Sequence, residues 1–228
     1  MPKRYSLILI IFFTVIILLL LTVSFIYQTK QGASNALPSF IKQQPSLTAN
    51  KPTNSADNLG QESLLQLPLS QGLERITKKP FGLKISPQNS PVAPEKFSGL
   101  HAGVDFEILP NEENIAVPVL AVCAGPLIYK QLVSGYGGVA IQRCVLAEQT
   151  VTALYGHLKL DGIAAKLNTE ISAGDQIGIL GKGYGSETSG ERKHLHLGIH
   201  RGATIDLRGY VQSTKELEEW VDVMKYLK

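Results

Sequence analysis

Ser134-Gly135-Tyr136-Gly137-Gly138, followed at once by Val139-Ala140-Ile141-Gln142-Arg143-Cys144-Val145, is a glycine-rich turn that runs into a strand-like segment. Similar runs lie to either side of it. Leu127–Leu132 precedes it and Val151–Tyr155 follows. Further out come Ile115–Val122, Gln176–Leu180 and Leu195–Ile199. Turn signals separate them, at Gly125-Pro126, Asp161-Gly162 and Ala173-Gly174-Asp175. Short apolar runs at this spacing predict a mostly β chain, with a small antiparallel sheet or sandwich. A hairpin turning near Val133–Ser134 sets Cys123 opposite Cys144. The pair then forms a disulfide in an oxidising compartment, or remains as two small buried residues. A helix is predicted only at the end, over 213–227. Ser213 or Thr214 can cap it, and Leu217, Trp220, Val221, Met224 and Leu227 recur at helical spacing.

The amino terminus differs in kind. Lys3 and Arg4 precede an uncharged apolar run from Leu7 to Tyr27, about the length that spans a bilayer. Residues 1–28 therefore read as a single-pass transmembrane signal anchor with the amino terminus inside and the remainder outside. A cleaved signal peptide, the rival reading, has a shorter apolar core and exports the rest equally. Residues 29–70 are rich in Gln, Ser, Asn, Pro and Lys without periodicity, as in a flexible linker. The globular domain is expected over 71–228. The net charge of +3, with no Lys/Arg block, argues against a nucleic-acid binder. Gly181-Lys182-Gly183 has a phosphate-loop look, but Gly183 stands where such a loop needs Ser or Thr.

All five histidines lie between residues 101 and 200. His194-Leu195-His196, on a strand, aims two imidazoles at one face and the leucine at the other. A bare His-x-His is equally an exposed pair on a sheet face. His101-Ala102-Gly103-Val104-Asp105 adds a nitrogen and a hard anionic oxygen, and Gly103 suits a chain that must bend to aim both at one point. Together these segments offer two nitrogens and one oxygen, the donor count of a catalytic zinc site with its fourth position open. His157 and the remaining member of the His-x-His pair are left to orient water, carry a proton or stabilise an oxyanion. There is no HExxH segment to supply a glutamate base.

HAGVD, YGHL and HLHL, in that order, resemble the marks of the lysostaphin/LytM-type zinc metalloendopeptidases. Phe81-Gly82-Leu83-Lys84 and Ile171-Ser172-Ala173-Gly174-Asp175-Gln176-Ile177-Gly178 add to the resemblance, which covers roughly 80–212. It implies Zn²⁺ held by His101, Asp105 and His196, with His157 and His194 as the catalytic histidines. It implies a small antiparallel sheet, the LytM-like duplicated hybrid motif, with a groove for the metal. The implied activity is hydrolysis of peptide bonds in bacterial peptidoglycan, and the anchor read over residues 1–28 sets the domain on the extracytoplasmic side of the bacterial cell membrane. Some relatives with an incomplete ligand set regulate other wall hydrolases, and a catalytically weak binding module of that kind is the alternative. This chain departs from the pattern at Gly190-Glu191-Arg192-Lys193, where the family has a short turn of small residues. Leu197 and Gly198 also replace a common aromatic and a frequent acidic residue. His200 matches no role in the family.

Overall fold

The computed structural model describes residues 64–228. The predicted anchor at 1–28 and the linker up to residue 63 lie outside the described residues. Among those described, no helix is long and apolar enough to cross a membrane.

The described chain is mostly β. Its strands are β1 (Lys84–Ile85), β2 (Gly99–His101), β3 (Val104–Glu107), β4 (Pro118–Leu120), β5 (Gly125–Val133) and β6 (Gly137–Leu146). There follow β7 (Gln149–Leu158), β8 (Glu170–Ile171), β9 (Gln176–Ile179), β10 (His194–Arg201) and β11 (Tyr210–Val211). A six-stranded sheet has the order β3-β10-β7-β6-β5-β8, and smaller sheets are β1-β2-β11 and β4-β9. All the strand pairings are antiparallel. The β5–β6 hairpin turns at Ser134–Tyr136, as its glycines predict, and Cys123 and Cys144 are disulfide-bonded across it. The buried Gln142 amide ties the base of this hairpin, donating to the carbonyls of Cys123 at 2.9 Å and Gly125 at 2.9 Å.

One side of the long sheet carries the core. Leu195, Leu197 and Ile199 of β10 pack there with Val104 and Phe106 of β3 and with Val151, Ala153 and Tyr155 of β7. Leu65 and Leu69 join the same cluster. Leu65 bridges to Leu227, and the Gln66 amide donates to the Val122 carbonyl at 2.8 Å. The packed body thus begins inside the span read as linker. The small apolar cluster Leu64-Leu65-Gln66-Leu67 has no helical or strand period, and distant partners order it: the Leu65 amide donates to the Tyr226 carbonyl and the Gln66 amide to the Val122 carbonyl.

The predicted helix over 213–227 is not formed as one element. Only α1 (Thr214–Leu217) is α-helical, with a capping box between Ser213 and Glu216, and a single 3₁₀ turn covers Val223–Lys225. Between them the chain runs beside β10. The Arg201 amide donates to the Glu219 carbonyl and the Val221 amide to the Ile199 carbonyl, both at 2.8 Å. This edge pairing satisfies backbone groups that a helix would otherwise bond internally. It still buries Trp220, Val221 and Val223, so apolar spacing alone does not distinguish the two outcomes.

Candidate metal and catalytic centre

The register of three neighbouring strands assembles the centre. On β10, His194 and His196 point away from the core, and Leu195 and Leu197 point into it, as the alternation predicts. Asp105 of β3 sits directly opposite His196, and Glu107 opposite His194. Directly opposed residues of an antiparallel pair share a face, so two histidines and two carboxylates face the same way. On the other side of His196 lies Gly156 of β7.

His157 follows Gly156, and regular alternation would turn it towards the core. A β-bulge prevents that. Tyr155 pairs with Ala140 and Leu158 with Gly138, so two residues of β7 stand against Val139 alone. His157 has φ +62°, a left-handed value that non-glycine residues seldom adopt. Tyr155 and Leu158 thereby both reach the core, while the His157 and His194 rings lie 4.2 Å apart between centroids. Bulges that re-aim a side chain are a known device beside active sites.

His101 arrives from the end of β2, where the chain bends through Ala102–Gly103 into β3. Its Nδ1 lies 3.2 Å from the Pro80 carbonyl. That contact assigns the ring proton to Nδ1 and leaves Nε2 to present a lone pair. His101 Nε2, His196 Nδ1 and Asp105 Oδ1 form a triangle with edges of 3.0, 3.1 and 3.2 Å. All three residues are buried. Tetrahedral zinc with ligands at about 2.0–2.1 Å separates its donors by about 3.3 Å. The triangle therefore fits zinc as it stands, without rearrangement.

The electrostatics agree with a cation site. Burial alone would raise the Asp105 carboxyl, but the neighbouring His194 and His101 imidazoles hold it well below the usual carboxylate range. Burial pushes His196 down to about 4 despite the opposing pull of Asp105. Burial, reinforced by His194, likewise lowers His157 well below the ordinary imidazole value. His157 Nδ1 and His196 Nε2 are buried without a hydrogen-bond partner.

The centre lies in a cavity of about 300 Å³, whose walls include Lys79, Phe97, Tyr136, Arg192 and Tyr210. All five residues singled out from the sequence are brought together here. His200 is not: it lies near Asp206 and edge-on to Trp220. Sequence reasoning missed Glu107, although two residues beyond Asp105 on a strand is a same-face position. It also missed the Lys79–Glu95 ion pair, buried at 2.5 Å, and Tyr210, whose hydroxyl accepts from Lys79 at 2.9 Å. Nothing local marks these three as neighbours.

Residues 99–207 match the family model described as Peptidase family M23. Solved structures also resemble the chain. The catalytic domain of the antimicrobial peptidase lysostaphin from Staphylococcus simulans is 21% identical with a TM-score of 0.44, over 70% of this chain and 97% of that one. LytU is 22% identical with a TM-score of 0.42, over 67% and 90%. A zinc-containing peptidase from Vibrio cholerae is 18% identical with a TM-score of 0.43, over 72% of this chain and 40% of that one. No curated protein sequence matches the chain.

Proposed function

From the premise that residues 99–207 are a Peptidase family M23 domain, we propose that the chain is a zinc metalloendopeptidase that hydrolyses peptide bonds in bacterial peptidoglycan. The observation that carries this reading is the triangle of His101, Asp105 and His196 donors, with two further histidines in the same groove. Three protein donors leave one position for water or substrate, and a purely structural zinc site would be closed by a fourth.

Zinc at this site supplies Lewis acidity to the scissile carbonyl and to the attacking water. The protein supplies the rest. His194 is oriented by its own chain: its Nδ1 lies 2.8 Å from the Arg192 carbonyl, which fixes the ring and directs Nε2 towards the metal ligands. His157, its ring tilted against that of His194, remains neutral at physiological pH and can hold or release a proton at either nitrogen. The pair is suited to stabilising the oxyanion and passing a proton to the leaving amine. Burial keeps these contacts in a low dielectric, where they act strongly.

The disulfide supports a location outside the cytoplasm, where such bonds persist. Attachment to the membrane through residues 1–28 is proposed from the sequence alone. The alternative of a binding module that has lost ligands gains no support from a complete donor set.

The test is zinc content and muropeptide release by the purified chain acting on peptidoglycan. One zinc per chain with release abolished by a chelator is expected, and fragment masses would identify the bond. Zinc bound without cleavage would refute the peptidase reading. No zinc uptake would refute the metal centre.

A further inference from the structure

The two oxygens of Asp105 have separate neighbours. Oδ1 faces the ligand triangle, at 3.1 Å from His196 Nδ1 and 3.2 Å from His101 Nε2. Oδ2 faces away from it and accepts from Arg192 Nη2 at 2.9 Å, with His194 Nε2 at 3.3 Å. Arg192 belongs to Gly190-Glu191-Arg192-Lys193, the charged stretch that stands where small residues were expected.

The guanidinium is itself held. Arg192 Nε donates to both oxygens of Glu107, at 3.1 and 2.9 Å, and Nη2 reaches the same carboxylate. Arg192 and Glu107 are nearly buried, with side chains 11% and 10% exposed. The planar fork spans the two carboxylates that β3 presents on one face, a geometry that a lysine cannot reproduce. Arg192's positive charge is paired with Glu107, so it does not stand as a bare cation beside a metal. What it offers Asp105 is direction.

The supporting backbone is independently fixed. Lys193 Nζ donates to the carbonyls of Glu112, Glu113 and Ile115 at 2.7, 3.1 and 2.6 Å. The Glu191 carbonyl accepts from the Thr188 hydroxyl at 2.7 Å and the Tyr184 amide at 2.6 Å. Replacing the Arg192 side chain leaves these anchors in place.

We infer that Arg192, clamped by Glu107, is a positioning residue that occupies Oδ2 of Asp105 and so keeps this carboxylate a one-oxygen ligand. The inference rests on the zinc reading above. A carboxylate ligand free to rotate can offer zinc its second oxygen and close the open position. Hydrogen-bonding partners behind metal ligands typically control affinity or activity by about 10–100-fold.

The experiment compares the full chain with Arg192→Lys and Glu107→Gln. Arg192→Lys preserves the net charge and removes the fork, so geometry is tested apart from charge. Zinc affinity is read by chelator competition, and the coordination is read from the visible d–d band after Co²⁺ substitution. Arg192→Lys is expected to bind zinc about 10–100-fold more weakly, with a shifted Co²⁺ band. Glu107→Gln, which loosens the guanidinium but leaves its bond to Asp105, is expected to move both readouts less, in the same direction. Thermal melting of the metal-free proteins separates a folding defect from a site defect, and affinity should fall in a variant that melts normally. Wild-type zinc affinity and an unchanged Co²⁺ band in Arg192→Lys would overturn the inference alone. A parent chain that takes up no zinc would overturn the zinc reading, and this inference with it.

Discussion

Gly103→Ala should disable the metal centre although Gly103 is not a ligand. Gly103 lies in the bend between His101 and Asp105, and its φ is not positive. Glycine is required here for room. A Cβ at this position would meet His196 Cε1 at 2.7 Å, His196 Nε2 at 2.8 Å and the Leu197 carbonyl at 2.7 Å. Ordinary contact begins at 3.4 Å, so the imidazole or the β3–β10 spacing must give by about 0.7 Å. The Leu197 carbonyl is backbone in the middle of a paired strand, so the ring is the softer partner. Metal–ligand distances tolerate about 0.2 Å. A displacement of 0.7 Å therefore removes His196 from the triangle or tilts it out of line. Overpacking of this kind costs about 1–3 kcal/mol. Expressed in metal binding, that is a loss of roughly 5- to 150-fold in zinc affinity. Chelator competition reads the loss directly, with melting of the metal-free protein as the check on folding. Gly185→Ala is the control: its Cβ would meet only the Lys182 carbonyl, at 3.5 Å, and its φ of −114° suits any residue. Zinc affinity of Gly103→Ala within twofold of the parent would refute the argument that packing behind His196 sets the ligand position.

His157→Ala and His194→Ala should each retain one zinc and lose most peptidase activity, since neither belongs to the donor triangle. Cleavage at the parental rate by either variant would remove it from the catalytic pair. Replacing both Cys123 and Cys144 by alanine frees a 21-residue separation in the unfolded chain. The chain-entropy relation gives about 3 kcal/mol for that loop. For a domain of this size the melting temperature should fall by roughly 6–12 °C, and an unchanged melting curve would contradict it. The chelated, metal-free protein should lose stability as pH falls from 6.5 towards about 4. His196 titrates near 4 when folded, so across that window the unfolded chain binds the proton and the folded one does not. Denaturant midpoints measured from pH 7.5 to 4 that stay constant or rise on acidification would contradict the burial of this imidazole.

What could be read from the sequence follows the range of the physics involved. The β5–β6 hairpin was legible because its turn glycines and its apolar run are contiguous. The alternation of His194 and His196 with Leu195 and Leu197 was legible because period two is a local property of a strand. His101 and Asp105 stood out because a bend between them brings both into one cluster. His157 was picked out by its neighbours in sequence, yet its means of arrival was hidden. The bulge that turns it into the groove depends on how β7 registers against β6, and register is set by packing. The carboxyl-terminal helix failed for the opposite reason. Leu217, Trp220 and Val221 have helical spacing, but the edge of β10 offers Glu219 and Val221 backbone partners at Arg201 and Ile199, far outside the reach of a helical turn. Leu65 becomes part of the fold by the same long-range route, through Leu227. Arg192 lies between these cases. Its sequence position marked it as a departure from the pattern, and only the cross-strand pairing of His194 with Glu107 explains what the departure touches. A charged residue in place of a small one, immediately before the ligand strand, reaches the carboxylates of the facing strand. A stretch that departs from the family pattern therefore bears on how Asp105, one of the three donors, is aimed.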